Sequence, residues 1–284
     1  MITDLGYQGA RPSRKIFISL MLMIMSLYVV LIIYPLFNMF ISAFKTNRAI
    51  LSAPFALPDS LDFKNFRIVW IDKGFSHYFF NSLLVTVVSM TFVILFGSMA
   101  AYGISRYVFK GNTLMYMLFL SGIMLPLKAA IIPLFLLIKR MGLINNRLSV
   151  IMIFMAMGLP STVFILSGFM KSIPLELEYA GRIDGCNDFS IYRKLIMPMV
   201  TPALALVIIY NAVPIWNDFF FPLVFLQTDA LKTLPVGLST FFGQFSTNWS
   251  LLFTGLSIAI LPMLVLYLFM AKYFIKGMTA GAVK

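Results

Sequence analysis

Long apolar segments separated by short polar ones run through almost the whole chain. Each apolar segment has about 20 residues or more, the length that an α-helix needs to cross the hydrocarbon core of a bilayer. The first segment is too long for the apolar core of a signal peptide, which has roughly 7–15 residues. The pattern predicts an all-α integral membrane protein with about six transmembrane helices, at residues 16–44, 81–104, 113–138, 149–170, 199–226 and 251–274.

One polar segment, residues 171–198, interrupts this pattern between the fourth and fifth predicted helices. Pro174 suits the first turn of a helix, and Glu176 and Glu178 follow where the helix dipole favours negative charge. Apolar side chains then recur at helical spacing with charges between them, which is typical of a short amphipathic helix. The apolar positions are Leu175, Tyr179, Ile183 and Cys186.

The end of this short helix is also marked in the sequence. Gly185 is expected to stop the helix, because glycine readily adopts the left-handed conformation that follows many helices. Asn187 or Asp188 is expected to cap a second helix, which leads back into the membrane. A helix, a glycine turn and a second helix together predict a docking surface for another protein.

The distribution of Lys and Arg indicates the orientation in the membrane. With both termini inside, the inner segments hold more Lys and Arg than the outer ones, and Arg11, Arg14 and Lys15 stand directly before the first span. Basic residues near the ends of spans favour the cytoplasmic side. The sequence therefore predicts cytoplasmic N and C termini and a cytoplasmic polar segment.

Composition excludes several other classes of protein. Of the 284 residues, 61% are hydrophobic and 11% are charged, against about 25% charged in a typical soluble domain. The formal net charge is +12, but the basic residues are scattered between the spans. We interpret them as topology signals and lipid-headgroup contacts and expect no nucleic-acid partner. One Cys and one His give neither a disulfide framework nor a cluster of metal ligands.

The chain also lacks the motifs of an enzyme or of a self-powered pump. It has no G-x-x-x-x-G-K-[ST] sequence to hold nucleotide phosphates, and one histidine leaves no credible Ser-His-Asp set. No pair of carboxylates lies in the middle of a predicted span, as proton or sodium coupling usually requires. We therefore expect a transport protein without covalent chemistry or a cofactor of its own, which takes its energy from another subunit.

Three groups of residues in the polar segment stand at a particular spacing: Tyr179-Ala180-Gly181, Gly185 and Leu195-Ile196-Met197-Pro198. This arrangement resembles the EAA loop of ABC-importer permeases. The intervening Arg-Ile-Asp-Gly at 182–185 is similar to the carbohydrate branch of that family, the relatives of the maltose-type permeases.

The chain departs from the family pattern at two positions. The family's leading Glu is Tyr179 here, with Glu178 one place earlier, and the second Ala of the pattern is Gly181. The resemblance nevertheless covers nearly the whole chain, because similar stretches follow in family order at 101–112, 124–145, 216–225, 233–241 and 277–284.

The resemblance implies a fold and an assembly. The fold is the type I ABC-importer permease fold, in a single transmembrane domain at 1–284, with a cytoplasmic coupling helix between the fourth and fifth spans. In that family the coupling helix sits in a groove of a cytoplasmic ATPase. The implied partners are a second homologous permease, two ATPase subunits that bind ATP and Mg, and an extracytoplasmic sugar-binding protein, assembled at a bacterial cell membrane. The residues expected to couple this chain to the ATPase are Glu178, Tyr179, Ala180, Gly181, Arg182, Asp184, Gly185, Leu195 and Pro198.

Polar residues inside the predicted spans are the candidates for a substrate path. Lys128 lies between Pro126 and Pro133 in the third span, and either faces a water-filled cavity or extends toward an interface. The fifth span carries amide, carboxylate and indole groups, which supply hydrogen bonds and an apolar face for a sugar. The same groups also suit a contact with a partner permease or the outer membrane boundary. They belong to Asn211, Trp216, Asn217 and Asp218.

The outer loop at 227–250 contains two glycines and four aromatic residues and has few charges. By the same resemblance, it reaches into the docked binding protein. The alternative is a short re-entrant or interfacial loop. The residues expected to contact the binding protein are Gly237, Phe241, Phe242 and Gln244.

Together these features predict the permease subunit of an ATP-driven, binding-protein-dependent importer of a sugar or oligosaccharide, working by alternating access. Import of another solute, such as glycerol phosphate or an amino acid, is the nearest alternative. A secondary carrier would need internal inverted repeats and an intramembrane carboxylate network, and an integral-membrane enzyme would need a catalytic set. We identify none of these in the sequence.

Overall fold

A computed structural model describes residues 12–242 and 247–282, and the regular elements in these two stretches are helices. The first half of the chain holds α1 (Pro12–Ser42), α2 (Asn47–Ser52), α3 (Lys64–Arg67), a π-helical turn (Ile68–Asp72), α4 (Phe75–Arg106), α5 (Asn112–Met124), α6 (Ile131–Arg140) and α7 (Arg147–Lys171). The second half holds α8 (Glu176–Ile183), α9 (Asp188–Ser190), a π-helical stretch (Ile191–Ile196), α10 (Met197–Met199), α11 (Thr201–Asn217), α12 (Phe220–Phe225), a 3-10 turn (Asp229–Leu231), α13 (Leu234–Ser239) and α14 (Trp249–Ala282). The all-α prediction is confirmed.

Four helices of the described part are long and apolar enough to cross a membrane: Ile16–Ser42 within α1, α4, α7, and Trp249–Tyr273 within α14. They cover the predicted first, second, fourth and sixth spans. A fifth span is present if the helix Asp188–Met199 and α11 count as one, although the two are bent by 76° relative to each other. The predicted fifth helix is also interrupted near its end, because α11 stops at Asn217 and α12 begins at Phe220.

The predicted third span is two shorter helices, α5 and α6, rather than one. The break follows from Pro126, which has no N–H and disfavours the helical conformation at the residue before it. Leu125 is accordingly extended, with φ −75° and ψ 120°. Pro133 lies in the first turn of α6, where a helix tolerates proline. The sequence predicts one span at 113–138 that its two prolines kink, and this is corrected to two separate helices.

The chain divides into two compact units, of which the larger comprises residues 74–240 and 259–284. In this unit α4 packs extensively against α7. Gly158 of α7 permits a close approach, because a Cβ there would lie 2.7 Å from Val93 Cγ2 of α4. Two apolar clusters fill the unit. The first contains Val85, Phe154, Phe221 and Phe225, and the second contains Leu166, Met170, Ile191 and Ile196.

The smaller unit comprises residues 1–73 and 241–258. The chain after α1 is fixed by hydrogen bonds to the backbone: Lys45 Nζ donates to the carbonyl oxygen of Pro54 at 3.0 Å, and Asn65 Nδ2 donates to that of Ala43 at 2.9 Å. The N-terminal part of α14 joins the same unit through Thr254 Oγ1, which also donates to the Ala43 oxygen. These bonds order the polar stretch that follows the first span.

Candidate functional site

The polar segment at 171–198 folds as the sequence predicts. Helix α8 ends where Gly185 adopts a left-handed conformation with φ 81°. Asn187, rather than Asp188, caps the next helix, because its side-chain oxygen accepts a hydrogen bond from the N–H of Ser190 at 2.8 Å. The segment is therefore two helices joined by a tight glycine turn.

Helix α8 exposes its apolar stripe instead of burying it. Leu175, Tyr179 and Ile183 are all exposed, and Ile183 retains 87% of its accessible surface. Glu178 is the buried residue of this helix, at 3% exposure. A helix that turns Glu178 inward and three apolar side chains outward presents a surface suited to docking against a partner.

Arg106, the last residue of α4, binds the buried acid. Arg106 Nε lies 2.6 Å from Glu178 Oε1, and both side chains are 4% exposed. The other two guanidinium nitrogens each donate to the carbonyl oxygen of Ile173 at 3.1 Å. From the sequence, Arg106 is only one of the basic residues that indicate topology. The two partners are distant along the chain, so no local pattern identifies the pair.

The remaining residues predicted for coupling lie on or beside this pair of helices. Arg182 and Asp188 form a half-exposed ion pair at 3.1 Å. Gly181 faces the second helix, where a Cβ would meet Ile191 Cγ1 at 3.5 Å, an ordinary contact. Leu195 packs against the second apolar cluster. Ala180 and Pro198 are exposed, and Asp184 follows α8 directly.

A cavity of about 970 Å³ lies in the larger unit, beside the two helix breaks. Its wall is mainly apolar and includes Phe154, Tyr210, Phe219 and Phe220. Four of the five residues predicted for a substrate path line it, Trp216 being the exception. The polar side chains of the lining are Lys128, Ser161, Tyr210, Asn211, Asn217 and Asp218.

Lys128 and Asp218 form an ion pair at the wall of this cavity. Lys128 Nζ lies 3.2 Å from Asp218 Oδ2, and the lysine side chain is 60% exposed whereas the aspartate is 8% exposed. Asp218 Oδ1 accepts a second hydrogen bond, from the N–H of Phe221 at 2.8 Å. Lys128 therefore lies at the wall of a cavity, paired with Asp218.

Asn211 and Trp216 occupy different surroundings on the same helix. The side-chain oxygen of Asn211 accepts from Ser161 Oγ at 3.0 Å, and its Nδ2 donates to the carbonyl oxygen of Val207, so the amide is held within the protein. Trp216 is 2% exposed, and its Nε1 donates to the carbonyl oxygen of Ala259 at 3.0 Å. Its ring meets Phe79 edge to face. Trp216 is therefore a packing residue in this structure.

The loop after α12 is attached to the start of α4. Tyr78 donates to Asp229 Oδ2 at 2.8 Å, and Asn81 Nδ2 donates to the carbonyl oxygens of Ala230 and Lys232. The bonds from Tyr78 and from Lys232 Nζ lower the pKa of Asp229 below its ordinary value. Gly237 lies against the ring of Tyr78 and leaves no room there for a Cβ.

The other residues predicted to contact a binding protein lie further along this loop. Phe241 is buried and Phe242 is exposed, and Phe242 pairs with Thr247 in an isolated bridge. Gln244 lies outside the described residues. The sequence analysis missed Asn145, which has φ 57° and accepts hydrogen bonds on its side-chain oxygen from the N–H groups of Gln227 and Thr228.

Comparison with known proteins places this architecture in one family. Residues 93–280 match the model of the binding-protein-dependent transport system inner membrane component. The arabinooligosaccharides transport system permease protein AraQ of Bacillus subtilis is 33% identical over 276 residues, covering 95% of this chain and 96% of that protein. The diacetylchitobiose uptake system permease protein NgcG of Streptomyces coelicolor is 34% identical, covering 92% and 87%.

Solved structures share the fold. A chain from a bacterial ABC transporter involved in the import of the acidic polysaccharide alginate superposes with a TM-score of 0.82 at 23% identity, covering 93% of this chain and 99% of that one. A chain from a bacterial alginate ABC transporter in complex with an alginate pentasaccharide-bound periplasmic protein superposes with a TM-score of 0.67 at 13% identity, covering 91% and 93%. The type I importer permease fold is thus confirmed. With the family model spanning more than half of its residues, the chain belongs to the binding-protein-dependent transport system inner membrane components, the permeases of ABC transporters.

Proposed function

We propose that this chain is the membrane-spanning permease subunit of an ATP-driven importer of sugars or oligosaccharides that receives its substrate from a binding protein. The observation that carries the proposal is the exposed apolar stripe of α8, formed by Leu175, Tyr179 and Ile183. A groove on a cytoplasmic ATPase would bury this stripe. Movement of the ATPase would then reach the spans through the glycine turn and the helix that follows it.

The cavity supports a sugar as the substrate. Its volume lies within the range of small-molecule sites, roughly 300–1,000 Å³. Its wall combines aromatic rings with hydroxyl, amide and carboxylate groups, which is the chemistry that pairs with the CH faces and hydroxyls of a saccharide. Relatives named as permeases for arabinooligosaccharides and diacetylchitobiose support the same class.

The assembly that follows has this chain, a second homologous permease, two ATPase subunits and an extracytoplasmic sugar-binding protein, with ATP and Mg held by the ATPases. Both termini of this chain lie in the cytoplasm of a bacterial cell. The mechanism is alternating access: closure of the ATPases moves α8, and the spans tilt to open the cavity outward. No covalent bond changes in this subunit.

Reconstitution in proteoliposomes tests the proposal. With binding protein outside and ATP inside, a labelled oligosaccharide should accumulate, and a pH gradient without ATP should drive no uptake. Uptake driven by the pH gradient alone would point to a secondary carrier instead. Competition by excess glycerol phosphate or an amino acid, but not by saccharides, would assign the importer to another solute.

A further inference from the structure

Arg106 joins three segments of the larger unit at one guanidinium group. The residue ends α4, its Nε pairs with Glu178 of α8, and its two terminal nitrogens bind the carbonyl oxygen of Ile173 just after α7. The two hydrogen bonds to Ile173 and the ion pair with Glu178 use different nitrogens of the planar guanidinium, whereas a lysine presents one ammonium. The end of α4 is thereby connected to both the end of α7 and the first turns of α8.

Aromatic side chains extend these contacts between α4 and α8 to the helix beyond the glycine turn. Tyr102, one turn before Arg106, points its hydroxyl at Glu178 Oε2 at 3.5 Å, and its ring lies 5.3 Å from the ring of Tyr192. The Tyr192 hydroxyl is 2.7 Å from Ser98 Oγ. Both helices of the polar segment are therefore attached to the last turns of α4.

Helix α4 in turn contacts the cavity wall. Val93 of α4 packs on Gly158 of α7, and Gly158 lines the cavity together with Ser161. A displacement of α8 that carries α4 with it would reach the cavity through this contact. A second route from the polar segment runs directly along the chain into α11.

We propose that the Arg106–Glu178 pair is a positioning element that makes α8 and α4 move together, so that motion imposed on α8 is transmitted to the cavity wall; this rests on the proposed function. A buried ion pair is seldom a source of net stability, because the loss of hydration of two charges offsets their attraction. The two hydrogen bonds from Arg106 to the Ile173 carbonyl oxygen do fix the direction of the guanidinium, and the ion pair then holds Glu178 beside it. The pair therefore acts on the coupling of ATP hydrolysis to uptake more than on folding.

The test compares variants of the reconstituted complex by three measurements: yield of the assembled complex, ATP hydrolysis per complex, and sugar taken up per ATP hydrolysed. Arg106→Lys keeps the charge but removes the fork. Arg106→Met combined with Glu178→Leu replaces the pair by apolar groups of similar size, which folded proteins generally tolerate. Arg106→Glu combined with Glu178→Arg reverses the pair. Arg193→Lys changes an exposed basic residue of the same segment, keeps its charge and is the matched control.

We expect Arg106→Lys and the apolar pair, Arg106→Met with Glu178→Leu, to assemble and hydrolyse ATP. Uptake per ATP should fall about fivefold or more, which is the lower end of the fold-changes typical of coupling between two sites. The reversed pair should recover part of this loss, and Arg193→Lys should match the wild type. Unchanged uptake per ATP in the assembled apolar pair would overturn the proposal. Loss of assembly in every variant, the reversed and apolar pairs included, would assign the pair to folding and would equally overturn it.

Failure of the proposed function is distinguishable from failure of this inference. If the wild-type complex takes up no saccharide, the proposed function fails, and the amount of sugar taken up per ATP hydrolysed cannot be compared between variants. Hydrogen exchange of the 171–198 amides in the assembled complex then still reports on the attachment of α8 to α4, because this measurement needs no substrate. Faster exchange in α8 for the apolar pair, but not for Arg193→Lys, is the expected result. Equal exchange in both variants would contradict the attachment of α8 to α4.

Discussion

Lys128 Nζ lies 3.2 Å from Asp218 Oδ2, and each of these residues stands where a helix is interrupted. Lys128 belongs to the break between α5 and α6, and Asp218 to the break between α11 and α12. The ion pair therefore joins two irregular backbone segments at the wall of one cavity. Such segments occur at membrane depth where they are enclosed by protein or face a water-filled space.

Removing the lysine should destabilise the protein through the aspartate that it leaves behind. The Asp218 side chain is 8% exposed, and an unpaired charge at such a site costs more than the roughly 1–3 kcal/mol of an unpaired neutral group. Lys128→Met should therefore lower the thermal unfolding temperature, and Asp218→Asn in the same chain should restore most of the loss. The measurement is a double-mutant cycle, and effects that add within about 0.5 kcal/mol would show that the two residues act independently.

Trp216 is expected to matter for assembly and not for flux. Because its indole is buried and bound to the Ala259 carbonyl oxygen, Trp216→Ala should cost about 3–5 kcal/mol of stability and reduce the yield of the complex. Uptake per assembled complex should stay near that of the wild type. Asn217, which lines the cavity and is exposed, provides the contrast: Asn217→Ala should lower uptake per complex at normal yield. Normal yield with reduced uptake per complex for Trp216→Ala would instead place Trp216 in the substrate path.

Two glycines of the polar segment should respond differently to alanine. Gly185 has φ 81° with no atom within 4 Å of a built Cβ, so the cost of Gly185→Ala is backbone strain of about 1–2 kcal/mol. Gly181 is helical and its Cβ makes an ordinary contact, so Gly181→Ala should be neutral or stabilising by up to about 1 kcal/mol. ATP-driven uptake should fall only for Gly185→Ala. An equal effect of both substitutions would mean that the conformation of Gly185 is not what matters.

Gly237 should tolerate no side chain at all. A Cβ there would overlap the ring of Tyr78, whereas one on the helical Gly168 would meet nothing within 4 Å. Gly237→Ala should displace the loop from α4 and reduce stability by about 1–3 kcal/mol, and Gly168→Ala should not. Thermal unfolding and proteolysis within residues 227–240 would measure this difference, and an intact, uncleaved loop in Gly237→Ala would refute the packing role.

Stability should depend on pH through Asp229. Its pKa is lowered, first by the hydrogen bond from Tyr78 and then by Lys232, so the folded protein favours the charged carboxylate. The stabilisation is present above the ordinary carboxyl pKa and is lost as the pH falls through the lowered value. Asp229→Asn should therefore unfold at a lower temperature than the wild type at neutral pH, and the difference should vanish in strong acid. A difference that persists there would have another cause.

The polar segment is the part of the site that the sequence predicts best, because its signals are local. Gly185 and Asn187 mark a turn and a cap that need no distant partner. The inward direction of Glu178 is different, since it depends on Arg106 at the end of another helix. A hydrophobic period places residues on a helix face without saying which face meets the rest of the protein.

The break in the third span shows a second limit of the sequence. Apolar residues continue on both sides of Leu125–Ala130, so the hydropathy of the whole span does not show that Pro126 separates two helices. Trp216 and Asn217 show a related limit. They are neighbours in sequence, yet Trp216 lies in a packed core and Asn217 lies at a cavity wall. Residue type predicts the chemistry available to a span, whereas tertiary packing decides which side chains use it.

The 76° bend between the helix Asp188–Met199 and α11 has a consequence for the lipid around the protein. With α11 crossing the bilayer, the helix before it runs nearly parallel to the membrane surface. Its exposed Arg193 and Lys194 then lie at the level of the headgroups, where each basic residue gains about 1 kcal/mol from an anionic leaflet. Anionic lipid would hold this helix down from the membrane side, so the energy needed to lift it should rise with the surface charge of the bilayer. Uptake rates in vesicles of graded phosphatidylglycerol content would measure that dependence.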